Sequence, residues 1–176
     1  MRWQEVPKPD VVEAFFYRAM AATGYGSGKK PTPHKDLEGW KQTTHEEAVP
    51  GGTLVLLDEW GEGHEGPGGR TRIYFQQNDS EAPPNLLWMM TYRGAYDDRV
   101  IPALKQVLGA AYANPANFPG FHGCRAPSQA DIPGHPGTQY ELFCPYGSFM
   151  GFLAEESVRG PDYFGGRHRC SGGWVF

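Results

Sequence analysis

The chain has 176 residues, a length that fits one domain spanning 1–176 with a single hydrophobic core. Its formal net charge of −4 provides no global positive field, so we expect neither nucleic acid nor an anionic membrane surface as a direct partner. No apolar run approaches the ~20 residues that span a bilayer, and the N-terminus lacks the hydrophobic stretch of a signal peptide, so we expect a cytoplasmic protein.

The first predicted element is a helix near the N-terminus. Asp10 and Glu13 have the spacing of a capping box, apolar residues recur at helical spacing from Val12 to Met20, and Gly24 is typical of the position after a helix. We expect the apolar face of this helix to pack in the core. The following segment, 24–33, is predicted to be an ordinary connector, because a phosphate-binding loop requires a strand before it and a helix after it.

Downstream segments have the aromatic and β-branched content of strands. They are 40–45, 53–60, 70–75, 86–92, 138–144, 149–158 and 163–174. The third and fourth predict a hairpin at the centre of the sheet, and a second helix is predicted from Pro102 to about Ala113. The predicted fold class is therefore α+β, with a curved, mainly antiparallel sheet of about six strands packed by two helices and joined by long loops rich in Gly and Pro.

Three cysteines, Cys124, Cys144 and Cys170, cannot all pair within the chain, and we expect them to be free thiols in a reducing compartment. Cys170, close to His168, is the one candidate nucleophile, although an inert buried thiol is the simpler interpretation. Two His-x-Cys pairs, His122 with Cys124 and His168 with Cys170, also leave open a tetrahedral zinc site, because alternate residues of an extended chain share a face.

The order of several short motifs resembles that of the DUF5680 family. The motifs lie at 34–37, 57–63, 87–94, 149–152, 155–156 and 171–173. The family occurs as small stand-alone bacterial proteins and fused to helix-turn-helix regulators, and it has no settled activity, so the resemblance implies an architecture and little chemistry. The chain departs from the family pattern in a longer loop at 114–137 and in Thr91, where the family often has Asn.

The second arm of the predicted hairpin carries alternate large residues on one face, Trp88, Met90 and Tyr92. The family pattern also implies a loose internal duplication, which would bring Glu156 to the same surface. We therefore predict that these four residues line a cup that binds a small molecule, the alternative being that they are ordinary core residues. Three other acids are expected to be solvated strand ends: Asp58, Glu59 and Glu155.

Three classes of function remain open at this point. The first is small-molecule binding in the cup. The second is a small cofactor-free hydrolase or isomerase, with Glu156 as general base and His168 or Tyr92 as acid. The third is a protein-interaction module that uses the 114–137 loop. A carboxylate in a perturbed environment inside a closed pocket would favour the enzyme. The sequence sets no expectation for the oligomeric state.

Overall fold

The computed structural model describes residues 6–63, 66–78, 80–115 and 132–175. The two helices are α1 (Pro9–Thr23) and α2 (Ile101–Ala113), and a 3-10 turn at Asp98–Val100 precedes α2. The strands are β1 (Thr32–Pro33), β2 (Lys41–Val49), β3 (Gly52–Gly63), β4 (Gly66–Gln77), β5 (Asn85–Tyr96), β6 (Gln139–Ser148), β7 (Gly151–Gly160) and β8 (Tyr163–Trp174). The α+β prediction is confirmed, but the sheet is larger than the predicted six strands.

All described strands belong to one sheet with the order β1-β2-β3-β4-β5-β8-β7-β6, and every neighbouring pair is antiparallel. Strands β2 to β5 form one meander and β6 to β8 form another, and the two meanders meet where β5 pairs with β8. The β4–β5 hairpin therefore lies at the centre of the sheet, as predicted from its two apolar arms.

Helix α1 begins two residues earlier than the predicted capping box implies, because Asp10 as the N-cap would make Val11 the first helical residue. Lys8 is the N-cap and makes no side-chain capping bond, and Pro9 occupies the first turn. Proline suits that position because its fixed backbone angle is helical and its missing N–H has no intrahelical acceptor there. The proposed capping box is therefore wrong, and Asp10 instead lies in the first turn, where its charge complements the helix dipole.

Both helices pack against the same side of the sheet, which we call the inner face. Along β3 the buried side chains of Leu54 and Leu56 alternate with less buried ones, and this alternation continues to Asp58. The register aligns Leu56 with Ile73 and Trp88, and aligns Asp58 with Thr71 and Met90. The inner face thus has a Trp88 end and, further along the same strand β5, a Tyr92 end.

The Trp88 end is filled by aromatic packing. The Trp88 side chain is fully buried, and its ring stacks on Phe149 at a centroid distance of 5.0 Å and contacts Phe16 of α1 at 5.1 Å. Its Nε1 donates a 2.8 Å hydrogen bond to the carbonyl oxygen of Phe149. Since every side of this ring is occupied by protein, Trp88 belongs to the core.

The cysteines differ from the sequence prediction. Cys144 forms a disulfide, whereas Cys170 is a buried free thiol, so the prediction of free thiols is wrong for Cys144. Disulfides are uncommon in a reducing cytosol, and the cysteines therefore no longer support the cytoplasmic expectation. His122, Cys124 and most of the 114–137 loop lie outside the described residues. Within the described part of the chain, α1 and α2 are too short or too polar to cross a bilayer.

Candidate functional site

A cavity of about 460 Å³ lies between the Tyr92 end of the inner face and the two helices. Its aromatic lining residues are Tyr25, Trp60, Tyr92, Tyr96 and Tyr112. Its titratable lining residues other than tyrosines are Lys41, Asp58, Glu62, Glu156, His168 and Cys170. Exposed residues mark the mouth of the cavity: Gly39, Lys41, Glu62 and Pro67. A volume of this size, with apolar walls and few polar groups, is typical of small-molecule sites.

Glycines in the central strands make room for the cavity wall. A Cβ at Gly69 would lie 2.4 Å from the Tyr92 hydroxyl oxygen, so glycine is what allows the Tyr92 ring to extend across β4 towards β3. Gly94 has a φ of +143°, and a Cβ there would lie 1.9 Å from the Arg167 carbonyl oxygen. Only glycine adopts this backbone conformation without strain, which permits the close approach of β5 and β8.

Asp58 is the most unusual group in the lining. Its side chain is inside the protein, with the residue only 2% exposed, which corrects the expectation of a solvated strand end. Its Oδ1 accepts hydrogen bonds from Thr71 Oγ1 at 2.8 Å and from the Tyr92 hydroxyl at 3.2 Å. Burial raises the pKa of Asp58 from 3.8 to about 6, an effect that outweighs the opposing influence of the two hydroxyls.

Glu156 is the second buried carboxylate of the cavity, again only 2% exposed. The hydroxyls of Tyr96 and Tyr140 donate to its two oxygens at 2.9 and 2.8 Å. The Nδ1 atom of His168 lies 3.6 Å from Glu156 Oε1, and Nε2 of the same ring lies 3.1 Å from the Gly94 carbonyl oxygen. Because a carbonyl oxygen can only accept, Nε2 carries a hydrogen and Nδ1 is the atom that can exchange a proton with Glu156.

The structure places most of the predicted site residues in one cavity. Met90, Tyr92, Glu156 and His168 all line it, whereas Trp88 lies in the packed core and does not. The hydroxyl of Tyr92 faces Asp58 and not the predicted base Glu156. Sequence reasoning missed Asp58, although a signal was present: Leu54 and Leu56 alternate towards the core, and the same period places Asp58 on the inner face.

Cys170 lines the cavity but is poorly suited to act as a nucleophile. Burial, and secondarily the nearby Glu156, raises the pKa of its thiol, which keeps the sulfur protonated and unreactive. Across the described ranges, no group of three or more His, Cys, Asp and Glu side chains is arranged to hold a metal ion. Two members of the proposed zinc set, His122 and Cys124, are not described, so that alternative stays a prediction.

A third buried acid, Glu59, lies on the opposite face of the sheet and has a structural role. It binds His34 Nε2 at 2.6 Å and Arg70 Nε at 2.8 Å, and also contacts Arg72. Burial by itself raises the pKa of Glu59, but hydrogen bonds from Arg70, His34 and Arg72 lower it to about 2. His34 Nδ1 accepts from two backbone N–H groups, so the cluster anchors the segment 34–40 that leads to the mouth of the cavity.

Comparisons with protein-family models, curated proteins and solved structures find no match for this chain. Its resemblance to the DUF5680 family therefore stays a prediction, and the site has to be interpreted from its own geometry.

Proposed function

We propose that this protein binds a small organic molecule in the cavity at the Tyr92 end of the sheet. The supporting observation is the cavity itself, a space of about 460 Å³ that combines aromatic walls with the buried carboxylates of Asp58 and Glu156. Close packing is the rule in protein interiors, and a buried carboxylate facing open space costs stability. Features that lower stability are typical of binding sites.

The test is a thermal-shift screen of a metabolite panel with a cavity-filling variant. Leu108 of α2 lines the cavity and is 8% exposed, so Leu108→Trp places an indole in the space that a ligand would occupy. Gln106→Trp is the matched control, because Gln106 lies on the exposed side of the same helix. A ligand present at 100 times its Kd stabilises the native state by about 2.7 kcal/mol. For a protein of this size that corresponds to a rise in Tm of roughly 5–10 °C.

We expect at least one compound to raise the Tm of the wild type and of Gln106→Trp, and to leave that of Leu108→Trp unchanged. If no compound stabilises the wild type, or if Leu108→Trp responds equally, the cavity is not a binding site.

Catalysis is the second candidate function, and the environment of Asp58 favours it. A carboxylate with a pKa of about 6 is suited to accept a proton near neutral pH, and the Tyr92 hydroxyl is its hydrogen-bonded neighbour. The pair formed by Glu156 and His168 offers a second position for proton transfer. A cofactor-free hydrolase or isomerase of this type would show a rate that rises with pH around 6 and is lost in Asp58→Asn. A rate unchanged in that variant would exclude Asp58 as the base.

A further inference from the structure

Resting on the proposed binding function, we infer that the cavity selects a protonated amine carried on an apolar or aromatic body, with the ammonium group placed against Asp58. The ligand class is a primary or secondary organic amine that is cationic at neutral pH. The inference follows from the charges of the lining, from the partners of Asp58 and from the aromatic rings at the mouth.

The charge of the cavity lining is negative. Of the residues that the structure describes, three carboxylates line it, Asp58, Glu62 and Glu156, and Lys41 is the one lysine. His168 lies against Glu156, with its Nδ1 atom 3.6 Å from Oε1 of that carboxylate. An anionic ligand would enter against this field, whereas a cation would be attracted.

Among the described residues, Asp58 has hydrogen-bond donors but no cationic partner. Its two donors are the neutral hydroxyls of Thr71 and Tyr92. In the described portion of the chain, no arginine, lysine or histidine forms an ion pair with it, whereas Glu59, the next residue along β3, contacts His34 and two arginines. A buried carboxylate is stabilised by a cation at hydrogen-bond distance, and at Asp58 the remaining open side is the cavity.

Aromatic rings near the mouth complete the site. Tyr25 and Trp60 both line the cavity, with ring centroids 6.4 Å apart and planes at 90°. The ammonium of Lys105 lies 4.9 Å from the centroid of the Tyr25 ring, so this ring already contacts a cation of the protein. Aromatic faces attract organic cations electrostatically and also bury the apolar body of such a ligand.

Amine binding should depend on pH through Asp58. The titratable or charged groups near it are Lys41 of β2, Glu59 and Glu62 of β3, Tyr92 of β5 and Tyr112 of α2, while β4 contributes the neutral Thr71 and α1 the neutral Met20. The ammonium group of the ligand binds the ionised form of Asp58, so the affinity for the amine should be constant above about pH 7. Below about pH 6 the affinity should fall, with a slope that approaches tenfold per pH unit.

Isothermal titration calorimetry with three matched probes tests the inference. The probes are 2-phenylethylamine, its neutral analogue 2-phenylethanol and the anion 3-phenylpropionate, each measured at pH 7.5 and at pH 5. We expect the amine to bind at least tenfold more tightly than the alcohol at pH 7.5, the anion not to bind, and the preference for the amine to shrink at pH 5. Asp58→Asn should lose the amine preference and still bind the alcohol. Glu141→Gln, which removes the same charge from an exposed residue of β6 that does not line the cavity, should change amine affinity by less than threefold.

The outcomes separate this inference from the proposed function. Equal affinity for amine and alcohol, or an amine preference that survives in Asp58→Asn, overturns the amine assignment while leaving the cavity as a binding site. If the affinity of the wild type for the amine is the same at pH 7.5 and pH 5, that result alone also overturns the amine assignment. If none of the three probes binds, the amine assignment fails, and the Leu108→Trp screen decides whether the cavity binds any ligand.

Discussion

Replacing Asp58 by asparagine should make the folded protein more stable at neutral pH while weakening its capacity to hold a cation. The substitution preserves side-chain size and retains an oxygen that can accept from Thr71 and Tyr92. It removes the buried negative charge. Binding sites commonly contain groups that lower the stability of the fold. If Asp58 served packing alone, its replacement by asparagine would not raise the stability at neutral pH.

The magnitude follows from the pKa of Asp58. A rise from 3.8 to about 6 is roughly 2 units, and at 1.36 kcal/mol per unit the ionised side chain costs the folded state about 3 kcal/mol. The side-chain amide of the variant carries N–H donors that need an acceptor in the cavity. We expect this to reduce the gain in stability by about 1 kcal/mol. We therefore expect Asp58→Asn to raise the free energy of unfolding by about 2 kcal/mol at pH 7.5.

The sign of the pH dependence is specific to a raised pKa. The folded protein holds the Asp58 proton more tightly than the unfolded chain does, so the stability provided by protonated Asp58 is present below 3.8 and is lost as pH rises through about 6. The cost of the ionised side chain in the wild type should therefore grow between pH 4 and 7, with about half of it present at pH 5. After the offset for the amide, the net advantage of Asp58→Asn should be about 0.5 kcal/mol at pH 5 and about 2 kcal/mol above pH 7.

Urea denaturation of the wild type and the variant from pH 4 to 8 measures this difference directly. Glu62→Gln is the control, because Glu62 is an exposed lining residue and its neutralisation should leave the difference close to zero at every pH. An Asp58→Asn protein that is less stable than the wild type at pH 7.5, or a difference that does not vary with pH, would refute the assignment of Asp58 as a destabilising buried charge.

Two further predictions concern stability outside the cavity. Trp88→Ala should lower the free energy of unfolding by about 3–5 kcal/mol, because the fully buried ring stacks on Phe149, and urea denaturation would contradict this if the loss were below about 1 kcal/mol. Glu59, whose pKa is lowered from 4.5 to about 2, contributes stability that is present above pH 4.5 and lost as pH falls to 2. Glu59→Gln should therefore lower the free energy of unfolding by about 2 kcal/mol at pH 7, a value that is reduced because the Arg70 side chain is 40% exposed. At pH 2 the substitution should cost close to nothing. An equal loss of stability at pH 2 and pH 7 would rule out the ionic contribution.

The positions of the helices and of the main strands were predictable because they depend on short-range patterns. The apolar spacing from Val12 to Met20 predicted α1, and the two apolar arms joined by a polar connector predicted the central β4–β5 hairpin. Such patterns reflect side-chain periods of 3.6 and 2 residues, which are properties of the local backbone. The two-residue β1 carries too few residues for any periodicity, which explains why it was missed.

No local pattern in the sequence indicates that one end of β5 packs in the core while the other end lines the cavity. Trp88 and Tyr92 share the inner face of β5, and alternation correctly predicts this, yet Trp88 is packed by Phe16 and Phe149 while Tyr92 borders open space. The difference depends on where α1 and the turn between β6 and β7, which carries Phe149, lie against the sheet. These contacts join residues more than 60 positions apart in the chain.

The amino-acid sequence thus determines an α+β chain with two amphipathic helices and a hairpin-centred sheet, because each of these elements is encoded by neighbouring residues. The placement of Asp58 beneath the helices, with hydroxyls as its partners and a cavity on its open side, arises from strand register and helix packing. Burial is a property of the assembled molecule, and the same aspartate at the end of an exposed strand would be an ordinary solvated acid.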